Sequence, residues 1–478
     1  MDHETSDSVG RLRVLQVSTM DRGGGAERSA WNLYQTYKNR GHESWLAVGT
    51  KRTDDADVLV ISKLRPQSAW KRLSEKALRR LQTFENIPGI WRLQRWLRTW
   101  ANPWLRIQMC FGIEDFNYPG TRQLLDLSHS RPDIVHCHNL HGGYFDLRML
   151  SRLSNEVPVI LNLRDAWLLS GHCAHSFDCE RWKSGCGHCP DLSLYPAIER
   201  DASAYNWYRK KKIFGKSRVY VTAPSHWLMQ KVEQSMLAPA IVKSRIIPNG
   251  TDLSIFCPGD RRKVRPALGI PDDAKTLLFT ANGIRKNIWK DYETMKAAVT
   301  KVAQRMQDAN LIFIALGEEG PPEKIGQAEV RFVPYQKDRR VVACYYQAAD
   351  LYIHAARAEV CPLAIIEALG CGTPVVATGV GGIPEEVKGL ELPEFSVWNS
   401  GLNRYGAEEA TGVLVPGGDA KAMAEGIERL LTDNSLRSRL GENAALDAAK
   451  RFDLEGQADK FLAWYKEILH DRATRKIA

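Results

Sequence analysis

Glu359 and Glu367 bracket the segment Glu359-Val-Cys-Pro-Leu-Ala-Ile-Ile-Glu367. Leu351 to Ala355 reads as a buried strand, and Leu363 to Leu369 as a helix stopped by Gly370 and Gly372 ahead of the apolar strand Val375 to Thr378. One carboxylate then falls on a strand-to-helix loop and the other on the helix. The start of a helix carries unpaired N–H groups and a positive dipole end, which suits a diphosphate. Carboxylates accept from vicinal diols in two-pronged fashion, so one Glu would reach sugar hydroxyls and the other ribose hydroxyls. The pattern suits an activated sugar.

Further candidates follow other strands. Arg285 and Lys290 come after the strand Thr276 to Thr280, and ligands collect at the carboxyl ends of parallel strands. Gly23, Gly24 and Gly25 sit where the first strand, Leu12 to Ser18, turns into a helix from Ala26 to about Asn39, and let backbone approach a phosphate or sugar. The same loop supports a rival reading as a nicotinamide-dependent oxidoreductase, with Glu43 as the ribose acid, although Arg28 occupies the third glycine position of that fingerprint. His136, His138 and His141 follow the strand at Ile134, and read either as a metal group or as hydrogen-bonded polar groups at a strand end. Asp165, after the strand Val159 to Leu163, is the nearest candidate general base, with orientation of hydroxyls as its alternative role.

These residues need a scaffold that brings strand ends together, and the chain supplies two. At 478 residues it is too long for one ordinary core. Strand and helix patterns alternate through 1–250, and again after the turn cluster Pro248-Asn-Gly-Thr-Asp252 through 251–450. Each half predicts a Rossmann-like parallel sheet covered by helices, facing the other across a cleft, with 451–478 a helix that crosses back toward the first domain. Hydrophobic content of 44% and charged content of 26% fit a soluble globular chain, and no apolar run is long enough to span a bilayer. The polar, acidic start lacks the pattern of a secretion signal, so a cytoplasmic location is expected, with the ten cysteines reduced, buried or metal-bound.

In order along the chain, Gly23-Gly-Gly25-Ala-Glu27, Pro248 to Asp252, Arg285 to Lys290, the paired Glu followed by Ala368-Leu-Gly-Cys-Gly-Thr-Pro-Val-Val376, and Val380-Gly-Gly-Ile-Pro-Glu385 resemble glycosyltransferase family 4, retaining enzymes of the GT-B fold. The resemblance implies a nucleotide-sugar donor (UDP- or GDP-linked) on the second domain, a saccharide acceptor on the first, and no metal in the transfer. It implies Glu359 on hydroxyls of the donor sugar, Glu367 on the ribose, His138 near the donor sugar, and Arg285 with Lys290 clamping the diphosphate. Two cations there would stabilise the charge that grows on the leaving phosphate. Gly382 falls within the last motif. Where the family has Gly before the helix this chain has Pro362, so phosphate contacts pass to the amides of Leu363 and Ala364. The segment Phe332 to Gln336 is the candidate for base recognition.

Two features stand apart. Cys173, Cys179, Cys186 and Cys189 lie amid His172, His175 and His188, and predict a structural zinc or, alternatively, reduced or redox-labile thiols. The match around Asp165-Ala-Trp-Leu-Leu-Ser-Gly-His-Cys173 points to enzymes of bacterial surface polysaccharide synthesis. Between Trp70 and Arg106, five Trp (70, 91, 96, 100 and 104) interleave with Lys71, Arg72, Arg79, Arg80, Arg92, Arg95, Arg98 and Arg106. This insertion, about 63–107, reads as a peripheral surface for anionic membrane lipid, or as Trp packed on the first domain with Arg in solvent. Membrane docking would suit a lipid-linked acceptor. The formal charge of +10 also admits a basic zinc-containing nucleic-acid-binding protein, a reading that leaves the paired carboxylates unexplained; no nucleic-acid partner is expected.

Overall fold

The computed structural model describes residues 10–63, 73, 76, 77, 80, 103–392 and 404–477. The chain divides into two compact units, Met1–Thr222 with Gln230–Arg245, and Ala223–Met229 with Ile246–Ala478. Of the Trp/Arg insertion, only Arg80, Trp104 and Arg106 of the named aromatic and basic residues are described; the others lie outside the described residues.

The first unit holds β1 (Arg13–Met20), β2 (Glu43–Thr50), β3 (Val58–Val60), β4 (Ile134–Cys137), β5 (Val159–Asn162), β6 (Val219–Ala223) and β7 (Ile241–Ile246), in the sheet order β3-β2-β1-β4-β5-β6-β7. From β3 across to β6 every pairing is parallel. β1, β2 and β4 to β6 are buried along most of their length because both sheet faces are covered there. On the helix Gly25–Asn39, Ala30 and Tyr34 recur at one-turn spacing and pack on Leu46, Val48 and Val58, which seats that helix on the sheet directly after the glycine loop.

The second unit repeats the plan with β8 (Lys275–Thr280), β9 (Leu311–Leu316), β10 (Glu323–Ile325), β11 (Ala328–Val333), β12 (Leu351–His354), β13 (Val375–Thr378) and β14 (Gly412–Val415), ordered β10-β11-β9-β8-β12-β13-β14. Only β10 runs antiparallel, on the edge. In each sheet the chain builds outward to one side and then crosses to the other, between β1 and β4 and between β8 and β12. At such a switch point the loops leaving the two central strands diverge and leave a crevice at their carboxyl ends.

The helix Leu454–Ile477, expected to cross toward the first domain, groups with the second unit. Its start is tied there by Leu454 N–H to the Thr251 carbonyl (3.0 Å) and Gln457 Nε2 to the Pro248 carbonyl (2.7 Å). The turn cluster Pro248 to Asp252 is thus held by the helix Leu454–Ile477, and the change of unit falls just before it, between Arg245 and Ile246.

Candidate active site

Lys290 and Glu359 come from the loops leaving β8 and β12, the two strands that flank the second switch point. The loops are stitched together by Asp291 N–H to the Ala355 carbonyl and Arg357 N–H to the Trp289 carbonyl, both 3.0 Å, so the side chains are delivered to one place. Lys290 Nζ donates to Glu359 Oε1 and, at 3.2 Å, to Nε2 of the fully buried His354. Burial opposes charge on Glu359, but Lys290 and His354 outweigh it and hold the carboxyl down at about 2. Burial, reinforced by the charge of Lys290, brings His354 down to about 4. At neutral pH the site is therefore a Lys–Glu ion pair beside a neutral imidazole.

That neutrality fixes a tautomer. With Nε2 accepting from Lys290, the His354 proton lies on Nδ1 and donates to the Tyr352 hydroxyl at 3.0 Å. Tyr352 lies 3.4 Å from Thr280 Oγ1, Thr280 lies 2.8 Å from the Tyr346 hydroxyl, and Tyr346 donates to Glu367 Oε2 at 3.4 Å. Glu367 is only 2% exposed and lies 3.9 Å from Arg339. Among these partners sequence reading missed His354, Tyr352, Tyr346 and Thr280. The signal for His354 was a polar residue closing the otherwise apolar strand Leu351-Tyr-Ile-His354 at a strand end.

The helix Leu363–Gly370 begins beside this cluster. Pro362 caps it without a side-chain hydrogen bond, and the first main-chain bond is from Ile365 N–H to the Pro362 carbonyl, so the amides of Leu363 and Ala364 precede it. Gly381 and Gly382 lie against the Glu359 loop. A Cβ on Gly381, which has φ +59°, would sit 1.9 Å from the Glu359 carbonyl oxygen, and one on Gly382 the same distance from that of Val360. The amide of Gly382, a residue expected to meet substrate, donates to the Glu359 carbonyl at 3.2 Å and so helps hold the Glu359 loop. Arg285, expected to clamp a diphosphate, has protein partners in this structure. It pairs with Glu318, whose other oxygen accepts from the Ile284 and Arg285 amides, and its guanidinium lies over Phe332 at 4.5 Å.

In the first unit, Gly23 to Gly25 leave the carboxyl end of β1. The helix N-cap, Gly24, has no side-chain cap bond, and a Cβ on Gly23 would meet only the flexible Glu27 side chain, at 3.2 Å. His138 is 2% exposed, stacked on His136 and hydrogen-bonded through Nε2 to Gln16 (2.8 Å). Burial drives it well below the usual histidine range. The histidine that joins a second candidate is His141, with Nε2 2.7 Å from Asp165 Oδ2 and Nδ1 3.4 Å from the Tyr195 hydroxyl. Burial works against charge on both, but their mutual attraction prevails, raising His141 and lowering Asp165. Asp165 also accepts from the Trp167 amide at 2.9 Å, which fixes its carboxylate.

The family model described as Glycosyltransferase Family 4 matches residues 23–255, and that described as Glycosyl transferases group 1 matches 260–447. The chain belongs to glycosyltransferase family 4. Similar curated proteins include the D-inositol 3-phosphate glycosyltransferases of Mycobacterium leprae (30% identical, over 48% of this chain and 50% of that protein) and Thermobifida fusca (26%, over 48% and 50%). The chain spans about half the length of the curated relatives it matches. Among solved structures, Anabaena HepE in complex with UDP and glucose aligns over 95% of this chain and all of its own at TM-score 0.59 and 15% identity. Sucrose-phosphate synthase from Thermosynechococcus elongatus aligns over 96% and 100% at 0.58 and 18%. These likenesses give the fold, GT-B.

Within a family 4 glycosyltransferase the rival nicotinamide fingerprint has no counterpart in space. Glu43 is the first residue of β2 and pairs in register with Arg13 at the start of β1, so it lies at the opposite sheet end from Gly23 to Gly25. Its carboxylate is engaged by Ser130 Oγ at 2.7 Å. No helix among the described residues is long and apolar enough to cross a membrane.

Proposed function

We propose that the chain is a retaining glycosyltransferase that moves a hexose from a UDP- or GDP-linked sugar to a saccharide acceptor carried on lipid, in the synthesis of a surface or extracellular polysaccharide. The observation that carries this reading is the Lys290–Glu359–His354 cluster beside the start of the helix Leu363–Gly370. The amides of Leu363 and Ala364 would take the diphosphate, Glu359 the sugar hydroxyls, and Glu367 the ribose.

In transfer the bond between the anomeric carbon and the diphosphate oxygen breaks, and its electron pair stays on the phosphate. The acceptor hydroxyl oxygen bonds to the anomeric carbon on the same face, and its proton passes to the leaving phosphate. Lys290 stabilises that departing charge, and Arg285 joins it when its contact with Glu318 opens. Glu359 is ionised throughout and both orients the sugar and favours positive charge at its ring. Gly23 to Gly25 and the His141–Asp165 pair would hold acceptor hydroxyls, with His138 behind them on Gln16. No metal takes part in the step, which leaves the four clustered cysteines a structural part.

The HepE complexes contain UDP, glucose and UDP-glucose, so UDP sugars head the test. Thermal-shift screening against UDP, GDP and their sugars, followed by assay of nucleoside diphosphate release, identifies the donor. Near-normal turnover in both Glu359→Ala and Glu367→Ala counts against the reading. For location, the reading places the chain on the inner face of the cytoplasmic membrane. On the helix Pro103–Cys110, Trp104 is 78% exposed, and Ile107, Met109 and the following Phe111 are exposed with it. Co-sedimentation with anionic liposomes tests this, and no binding at low salt removes it.

A further inference from the structure

The loop that follows Asp165 folds back on itself in the first unit. Ala166 N–H bonds to the Ala174 carbonyl and Ala174 N–H to the Tyr195 carbonyl, both at 2.7 Å. Between Ser170 and Arg200 the only regular element is the single turn Arg181–Lys183, so hydrogen-bonded secondary structure does little to hold this stretch in shape. Yet Cys173, Cys179, Cys186 and Cys189 all line one cavity of about 20 Å³, walled also by His172 and Trp182. That is room for one water-sized occupant. All four are free thiols and none is fully exposed.

The backbone is bent to bring them there. His188 has φ +47°, the left-handed region that a non-glycine residue rarely enters, between Gly187 at φ +131° and Cys189. This folds the turn Cys186-Gly-His-Cys189 so that both sulfurs reach the same cavity. The Gly171 amide donates to Cys186 Sγ at 3.2 Å, a donor of the kind that stabilises a thiolate, and His172 Nε2 lies 3.2 Å from Cys189 Sγ. Under the loop the buried Lys210 ammonium binds the carbonyls of Trp167 (2.9 Å) and Ser170 (3.1 Å) and pairs with Glu114 at 3.0 Å.

We propose that the four cysteines hold one structural zinc ion in a tetrahedral thiolate site, and that this ion pins the loop against the His141–Asp165 pair. Among the described residues no three His, Cys, Asp or Glu side chains are grouped tightly enough to hold a metal as they stand. Binding therefore draws the sulfurs inward from the cavity wall to about 2.3 Å from the ion, each thiol giving up its proton. The link to the pair is short: His172 Nδ1 meets the Pro196 carbonyl at 3.0 Å, and the neighbouring Tyr195 hydroxyl meets His141. The metal thus closes a loop whose one regular element is the turn Arg181–Lys183.

The test is metal analysis of the full chain purified under reducing conditions without a metal-affinity step, with zinc release followed as a mercurial titrates the thiols. The expected result is about one zinc per chain, released as four thiols react. Cys186→Ser with Cys189→Ser should bring zinc near zero, while Cys110→Ser keeps it. Should the double variant fail to fold, the unaltered chain still decides: cobalt substitution should give the visible spectrum of a tetrahedral thiolate site, and chelation should open residues 171–190 to protease. Zinc near zero with four freely reactive thiols, or a Cys186–Cys189 disulfide under the same conditions, overturns the proposal. These readouts need no transferase activity, so they stand or fall apart from the proposed function.

Discussion

Glu359 and Glu367 stand at the two ends of one hydrogen-bond chain. From Lys290, which also binds Glu359, it runs through His354, Tyr352, Thr280 and Tyr346 to Glu367, and every link can donate in the same direction once His354 carries its proton on Nδ1. Three of its members, His354, Tyr352 and Tyr346, are fully buried, so breaking any link leaves a polar group without water to replace the partner.

Tyr352→Phe tests this chain. It removes the acceptor of His354 Nδ1–H while keeping the ring, and the orphaned donor should cost about 1–3 kcal/mol of stability by urea unfolding. Because the Lys290–Glu359 pair keeps its own bond, the expected kinetic signature is a rise in KM for the donor larger than the fall in kcat. Loss of kcat at unchanged KM would place Tyr352 in the chemical step instead.

Lys290→Met separates leaving-group stabilisation from binding. Removing a preorganised charge aimed at a developing anion costs roughly 100- to 1,000-fold in kcat. Glu359→Gln should lose activity by a similar factor. Binding of the bare nucleoside diphosphate to that variant, measured by calorimetry, should stay close to that of the unaltered chain, because the substitution leaves the amides of Leu363 and Ala364 in place.

Gly381→Ala should be far more damaging than its size suggests. The new methyl would overlap the Glu359 carbonyl oxygen, and φ +59° is unfavourable for alanine. The Glu359 loop must move, so transferase activity should fall at least as far as in Glu359→Gln. Gly406→Ala, where a Cβ meets nothing within 4 Å, is the control.

Most of this architecture was legible in the sequence because parallel strands buried on both faces announce themselves as short apolar runs. Leu311 to Ala315 and Val375 to Thr378 were found for that reason, whereas β7, none of whose residues is fully buried, and β11, whose buried residues alternate with half-buried ones, were missed along with the short β3, β10 and β14. Lys290 and Glu359 were found from motif position, and the two loops do bring them together. What spacing did not carry was direction. It did not reveal that His138 turns inward to Gln16 while His141 meets Asp165, that Arg285 is taken by Glu318, or that the Gly382 amide is used within the loop. Those outcomes depend on contacts between segments far apart in the chain.

Acid should destabilise the second unit in two overlapping windows. His354, brought from 6.5 to about 4, binds fewer protons folded than unfolded between those values, so its contribution is lost as pH falls from 6.5 to 4. Glu359, brought from 4.5 to about 2, contributes above 4.5 and loses that as pH falls toward 2. Each is on the order of 3 kcal/mol by linkage. Urea unfolding of the unaltered chain and Glu359→Gln should differ most near neutrality, with the gap closing toward pH 3.

His141 predicts the opposite sign. Because the pair raises His141 above its ordinary 6.5, the stability it contributes is complete below that value and fades as pH rises through the folded value. Asp165→Asn removes the carboxylate and leaves burial as the dominant influence, so the His141 pKa, followed by its imidazole resonances, should drop below 6.5. If the pair orients the acceptor, the same variant raises acceptor KM several-fold while donor KM stays unchanged. A His141 titration that is the same in both proteins would mean that the 2.7 Å contact does not persist in solution.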